Sequence, residues 1–440
     1  MAISWESGMD GLPNQLRILV DEASREKLSK DYFWYSPVLD KKLQGKIADV
    51  VALPESEEEI VAILSMACRN RIPVTVRGAG TGNYGQAVPL QGGIVLDLSG
   101  LNRILEIEEG YARIQCGVRL GALDKKVREQ GQDLRIYPST YVKATIGGFV
   151  GGGSGGIGSV TWGNLWDGNV LEAIVYTMEE IPRRLVVRGE ELLNYIHSYG
   201  TTGIIVELTI PLSPLTAWSQ SIVSFESFDM AMRFGEALAK DMSIAKREAG
   251  VMEWPIPSFF KPLAKALTPE MHAVLVETAD GTQSALAELA QQFEGKIVHH
   301  IEASQYRKSI GLSDFAWNHT TLWALKADSS LTYLQAEFSK DSYLEQIKQI
   351  DELFDSEVMH HFEWIREGGE VKPMWLPVIR YSNEDRLYEI IRYCESIGII
   401  IFDPHTWLLN DDSRGEVNGM VGCKRVNDPL GLLNPGKMIY

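Results

Sequence analysis

The stretch "VTVRGAGTGNYGQAVP", residues 74–89, decides how the fold is read. Gly80, Gly82 and Gly85 have the spacing G-x-G-x-x-G of a dinucleotide-binding turn. That turn demands a strand before it, a helix directly after it and an acidic residue about 20 positions on. The strand is present: "IPVTVRG" is short and β-branched. It follows "SEEEIVAILSMACRNR", an amphipathic helix in which Ser56 and Glu59 have capping-box spacing and Ile60, Ile63, Leu64, Ala67 and Cys68 share one face. The helix after the loop is missing, because "NYGQAVPLQGG" carries a proline and a glycine pair and "IVLDLS" reads as the next strand. Such a loop can still hold phosphate: successive backbone N–H groups in a tight glycine turn form an anion-binding nest. Glycine suits it by allowing positive φ and close approach of a ligand. A plain hairpin turn fits this stretch equally well.

A second stretch separates the two readings. From Gly147 to Gly163, in "YPSTYVKATIGGFVGGGSGGIGSVTWG", nine of seventeen residues are glycine. A flexible linker would lack the apolar anchors Ile146, Phe149, Val150, Ile157, Val160 and Trp162 that interrupt the run. An ordered chain lying flat against a bound cofactor is expected. A third piece, "SYGTTGIIVELTIPLSP" at residues 198–214, sets a glycine turn before a strongly β-forming strand.

The bounds agree with a two-domain globular protein. The 440 residues exceed what one core usually supports. A 45% hydrophobic and 23% charged composition is ordinary for globular proteins. The net charge of −17 argues against a nucleic-acid partner. Cys68, Cys116, Cys394 and Cys423 are dispersed with no C-x-x-C, so free thiols are expected, with no metal site. The start "MAISWESGMDGLPNQ" has no signal-peptide pattern and no apolar run approaches a bilayer span, so a cytoplasmic protein is expected, with peripheral membrane contact left open.

In order and spacing, the three pieces resemble the FAD-binding domain of the vanillyl-alcohol oxidase / p-cresol methylhydroxylase (PCMH-type) family, nearest its glycolate oxidase flavin-subunit and D-lactate dehydrogenase branch. The family loop R-G-G-G-T-G-x-x-G-x-A-V-P stands here as Arg77 to Pro89. Its P-S-S and A-T-I-G-G segments stand as Pro138 to Thr140 and Ala144 to Gly148, and its S-E-G-T-L-G-I turn as Ser198 to Ile204. The terminal "DPLGLLNPGKMIY" is similar to the family's closing motif. The resemblance implies that amides of Gly78, Ala79, Gly80, Thr81 and Gly82 cradle the FAD pyrophosphate. It implies that Pro138, Ser139, Thr140, Thr145, Gly147 and Gly148 line the isoalloxazine and ribityl chain, and that Ile204 and Ile205 lie along the adenosine. Asn434 and Lys437 are expected at the flavin's pyrimidine side. Thr81 occupies the position of the histidine that carries covalent flavin in some relatives, so non-covalent FAD is expected. The branch's histidine-rich metal motifs are absent, the corresponding stretch reading "GGEVKPMWLPVIRYS".

Between Ser219 and Trp407 a strand-then-helix unit recurs four times: "SIVSFES" with "FDMAMRFGEALAKD", "HAVLVETAD" with "TQSALAELAQQFE", "LTYLQAEFS" with "DSYLEQIKQIDELF", and "MWLPVIRYS" with "NEDRLYEIIRYCESIG". The expected fold is therefore α+β. An N-terminal helical segment (1–44) and a two-subdomain FAD-binding domain (45–215) precede a cap with an antiparallel sheet and helices on one face (216–407), and residues 408–440 return to the FAD-binding domain. The expected function is hydride transfer from an alcohol or 2-hydroxy acid to flavin N5, with oxygen, a quinone or a protein carrier as the open choices of electron acceptor. A C=C reductase and a non-catalytic FAD-binding subunit are the rivals. Among the histidines, His405 and His319 sit among aromatics and are the candidate bases, although a structural, hydrogen-bonded role is the commoner fate of any one histidine. Arg380, ending "WLPVIR", is the candidate partner for a substrate carboxylate, against the simpler reading of a surface ion pair.

Overall fold

The computed structural model describes residues 12–308, 310–410 and 417–440. Its first layer is a four-stranded sheet in which Val50–Leu53, Ile94–Asp97 and Val74–Arg77 run parallel, in that spatial order. The strands flanking the glycine loop are thus parallel neighbours, which excludes the hairpin. Parallel pairing in the interior also explains why both are buried along nearly their whole length. Arg17–Leu19 adds an antiparallel edge strand against Val51–Leu53, so the segment before residue 45 is not helical throughout. Two short helices follow it, Glu22–Leu28 and Pro37–Leu43.

The helix Glu57–Arg69 packs its apolar face, Ile60, Ile63, Leu64 and Ala67, into the same core. Ser56 accepts the Glu59 N–H as a capping residue does, but the Glu59 carboxylate reaches back to the N–H of Glu55 rather than Ser56. A second, antiparallel sheet has its main strands in the order Ile104–Glu108, Tyr111–Gln115, Ile204–Pro214, Glu172–Tyr176 and Arg184–Arg188. Both sheets share one hydrophobic core, which also takes in Leu432 and Leu433 near the C-terminus.

The glycine-rich stretch is ordered but not flat. Thr145 caps a seven-residue helix, Ile146–Gly152, its side chain accepting the Gly148 N–H. Ile146, Phe149 and Val150 bury one face, which offsets the poor helix propensity of four glycines. The remaining residues are spread over helices and strands of a third unit, built on an eight-stranded antiparallel sheet. All four anticipated strand–helix units are present, their helices at Phe228–Lys240, Gln283–Gln292, Tyr343–Phe354 and Glu384–Ser396. Periodicity alone did not reveal the interior strand Lys246–Met252, which pairs with His361–Glu367. Among the described residues no helix is long and apolar enough to cross a membrane.

Candidate active site

A cavity of about 440 Å³ runs from the glycine loop to the cap sheet, a volume in the usual range for cofactor and substrate sites. One end is main chain. Gly78, Ala79, Gly80, Thr81 and Gly82 line it together with Pro138, Ser139, Thr140, Thr145, Gly147 and Gly148. Among the described residues the amides of Ala79, Gly80, Thr81 and Gly82 donate to no protein group, as a cradle awaiting phosphate oxygens requires. Gly80 is left-handed, at φ +62°, and a Cβ on it would strike the Arg77 guanidinium folded beneath the loop. Arg77 is held there by the Lys30 carbonyl at 2.6 Å and by Asp97. Gly148 is different: its Cβ would meet only the Thr145 hydroxyl and otherwise enter open cavity. A cavity with unpaired amides and glycines at its wall fits FAD.

The other end is side chain. Asp314, Trp317, Asn318, His319 and Leu322 enter from the start of the helix Asn318–Ala327, and Gln335, Met374, Leu376 and Phe402 come from cap strands and their flanks. Hydrogen bonds tie the two ends together. Tyr84 Oη donates to Gln335 Oε1 at 2.5 Å, and Gln335 Nε2 donates to Asn318 Oδ1 at 3.2 Å. Asn83 Nδ2 donates to Tyr333 Oη at 2.6 Å. Burial, only partly offset by nearby Asp314, pushes the His319 pKa below its ordinary value, so its ring is neutral near pH 7.

Several expected residues stand elsewhere. His405 is buried outside the cavity wall, with Nδ1 2.7 Å from the Ser36 hydroxyl and Nε2 2.9 Å from the Tyr333 carbonyl. The carbonyl fixes the proton on Nε2, and Nδ1 accepts from Ser36; both nitrogens are spent on structure. Arg380 lies half exposed at a strand end, 3.7 Å from Asp328, and does not reach the cavity. Ile205 lines the cavity whereas Ile204, alternating to the other face of its strand, does not. Lys437 and Asn434 lie one layer behind the wall. Lys437 Nζ donates to the Gln86 carbonyl and Asn434 Nδ2 to the Tyr199 carbonyl, and Gln86 and Tyr199 line the cavity.

Sequence reasoning missed other wall residues. Asp31, Tyr32 and Tyr35 come from the N-terminal segment, and Asp31 accepts the Phe33 and Ala87 amides at 3.0 and 3.2 Å. Burial pushes Asp31 up to about 6 and Lys437 down to about 7 as the two face each other. His197, Tyr199 and Trp317 line the cavity with φ of +53° each, a region costly for such side chains. Three strained non-glycine residues around one cavity mark a site whose shape the surrounding structure imposes. Tyr199 and Trp317 lie in stretches the sequence had singled out, but nothing local announces their backbone conformation.

Comparison with known proteins agrees with this geometry. Residues 48–179 match the FAD binding domain family. The chain is 25% identical to the glycolate oxidase subunit GlcD of Escherichia coli (strain K12), the similarity covering 100% of this chain and 95% of that protein. It is 33% identical to a D-lactate dehydrogenase of Anaerostipes hadrus over 45% of this chain and 42% of that one. In three dimensions it is similar to an alkyldihydroxyacetonephosphate synthase, with a TM-score of 0.74 at 16% identity, covering 98% of this chain and 85% of that structure.

Proposed function

We propose, from the premise that this chain is an FAD-dependent oxidoreductase with a PCMH-type flavin domain, that it oxidises a carbon bearing a hydroxyl group at the cap end of the cavity. The observation that supports this reading is a neutral histidine, His319, on the same cavity as the glycine cradle. Bound FAD would supply the hydride acceptor. The free amides of Ala79 to Gly82 would hold its pyrophosphate, and Thr81 offers no imidazole for a covalent link, so acid should release the flavin intact.

His319 takes the substrate's hydroxyl proton onto a ring nitrogen, a role suited to a base that is neutral near pH 7. Asn318, fixed by Gln335 and Tyr84, orients that hydroxyl. Trp317, Met374, Leu376 and Phe402 keep water from the reacting carbon. The relatives named for glycolate and D-lactate favour a 2-hydroxy acid. In that case Lys143, an exposed cation among the residues that line the cavity, is the candidate partner for the carboxylate.

The test is anaerobic mixing of the yellow holoprotein with glycolate, D-lactate, D-2-hydroxyglutarate and benzyl alcohol while the flavin spectrum is followed. Bleaching by any of them supports the reading. If none bleaches the flavin but an electron-poor alkene reoxidises the chemically reduced protein, a C=C reductase replaces it. If neither happens, a non-catalytic FAD-binding subunit does.

A further inference from the structure

Trp317 stands on the cavity wall at φ +53° and ψ −139°, a combination that a bulky residue keeps only when its surroundings impose it. It immediately precedes the helix Asn318–Ala327, so its backbone sets the angle at which Asn318 and His319 enter the cavity. Its ring packs on Ile365, Met374, Leu376 and Phe402, the last three of which line the same cavity.

What imposes the conformation is a carboxylate in the cap sheet. The Trp317 N–H donates to Glu363 Oε1 at 2.7 Å. Glu363, on the strand His361–Glu367, is 1% exposed. The same Oε1 lies 2.9 Å from His361 Nε2, and His361 Nδ1 lies 3.1 Å from the carbonyl of Leu376. With an acceptor on each ring nitrogen, His361 is clamped between the carboxylate and a residue of the cavity wall. From the neighbouring strand, where Gly250 pairs with Glu363, comes a second buried carboxyl, Glu248.

The oxygens of Glu248 meet no N–H or O–H donor among the described residues. Burial, and then the charge of Glu363, pushes its pKa well up, so Glu248 is the protonated member and can donate to Glu363. Burial works against the charge of Glu363 too, but hydrogen bonds from His361 and Glu248 outweigh it and hold that carboxyl below the usual range. The oxygen that accepts the Trp317 N–H is thus kept free of a proton in a place where a lone carboxylate would neutralise itself.

We propose that Glu363 is a positioning residue of the substrate site: clamped by His361 and Glu248, its carboxylate holds Trp317 in the left-handed conformation and thereby sets the aromatic wall and the approach of Asn318 and His319. Without an acceptor at residue 363 the Trp317 N–H is buried unpaired, and its backbone relaxes toward negative φ, carrying the ring off the wall. The proposal rests on the reading that the cap end receives the substrate, and its test has one readout that needs no substrate.

That readout is the ¹⁹F NMR spectrum of holoprotein labelled with 5-fluorotryptophan, the Trp317 line being assigned from its loss in Trp317→Phe. Glu363→Ala should displace or split that line while flavin content stays at the wild-type level. Glu363→Gln keeps an acceptor oxygen and should return the line close to its original position. If Glu363→Ala does not fold, Glu363→Asp, its carboxylate withdrawn by one methylene, must displace the line instead. An unmoved Trp317 line in the alanine or aspartate variant overturns the proposal. With whichever of the four alcohols bleaches the flavin, Glu363→Ala should raise KM by ~10-fold or more, with Glu363→Gln restoring it. Lower thermal stability with wild-type KM and an unmoved line would make Glu363 merely structural. If no alcohol reduces the flavin, the substrate reading fails, and the NMR comparison still decides the role of Glu363.

Discussion

Where the cavity meets the glycine loop its wall is main chain; where it meets the cap its wall is side chain. The first end is specified by what is missing, Cβ atoms at Gly80, Gly147 and Gly148. The second is specified by what is present and held in place, Trp317 by Glu363 and Asn318 by Gln335. A main-chain wall recognises groups common to many ligands, such as phosphate and a flat ring, and tolerates no substitution that adds bulk. A side-chain wall can be rebuilt one residue at a time, so it is where a scaffold changes substrate while keeping its cofactor.

This contrast can be broken from either side. The largest effect is expected at the loop. Gly80→Val forces a branched side chain onto a left-handed residue and into Arg77, and should abolish flavin binding with some loss of stability. Gly148→Val should also abolish it, with a smaller loss of stability, because its Cβ crowds only the Thr145 hydroxyl that caps the helix. Flavin content after gel filtration and the melting temperature of the apoprotein check both, and full occupancy in either variant would mean that the cradle is elsewhere.

At the cap end His319→Ala should slow flavin reduction by ~10²-fold with FAD retained, the usual cost of losing a positioned base. The wild-type rate should fall as pH drops through a pKa below the ordinary histidine value, since burial favours the neutral ring and only that form accepts the proton. Stopped-flow reduction across pH measures both. His405→Ala sharpens the contrast because its effect is on stability alone. It removes the acceptor of the Ser36 hydroxyl, which still accepts the Leu39 N–H, and a donor to the Tyr333 carbonyl, at about 1–3 kcal/mol in all, and should leave the reduction rate at the wild-type value.

Behind the loop the effects shrink. Lys437→Met should leave FAD bound and lower its reduction potential by about 30 mV, roughly 1.4 kcal/mol for two electrons. The lysine's folded pKa is about 7, so the difference from wild type is fullest below that pH, where Lys437 is charged, and fades as pH rises through it. Spectroelectrochemistry at two pH values checks the sign. Smallest of all, Arg380→Ala breaks a half-exposed pair with Asp328 and should change neither flavin reduction nor, beyond about 0.5 kcal/mol, stability.

The two ends also differed in how far the sequence disclosed them. Turn chemistry alone left Arg77 to Pro89 open between a hairpin and an anion nest, and it was the resemblance that assigned this loop and Pro138 to Gly148 to FAD. The helix in the second stretch could not be read, because four glycines argue against it and only the Thr145 cap with the burial of Ile146, Phe149 and Val150 makes it form. The cap strands announced themselves through periodicity, but the site they carry depends on register. Glu363 matters because Gly250 lies opposite it and Trp317 falls within reach, 46 positions away in the chain. His405 and Arg380 were chosen for their chemical suitability, and suitability says nothing about which way a side chain turns. Asp31 had no signal at all, an ordinary acidic residue made part of the wall by the path of the N-terminal segment.

The stretch at Leu432–Lys437 is, in effect, the last strap of the site. Val74, one of the strands entering the glycine loop, donates to the Leu432 carbonyl at 2.8 Å and accepts the Asn434 N–H at 2.7 Å. Lys437 closes on Gln86 across 351 positions of chain. A ribosome makes the loop long before it makes the strap. Without the strap the strand entering the loop lacks these two hydrogen bonds and Gln86 lacks its lysine, so the final shape of the loop depends on residues as far as 351 positions away in the chain.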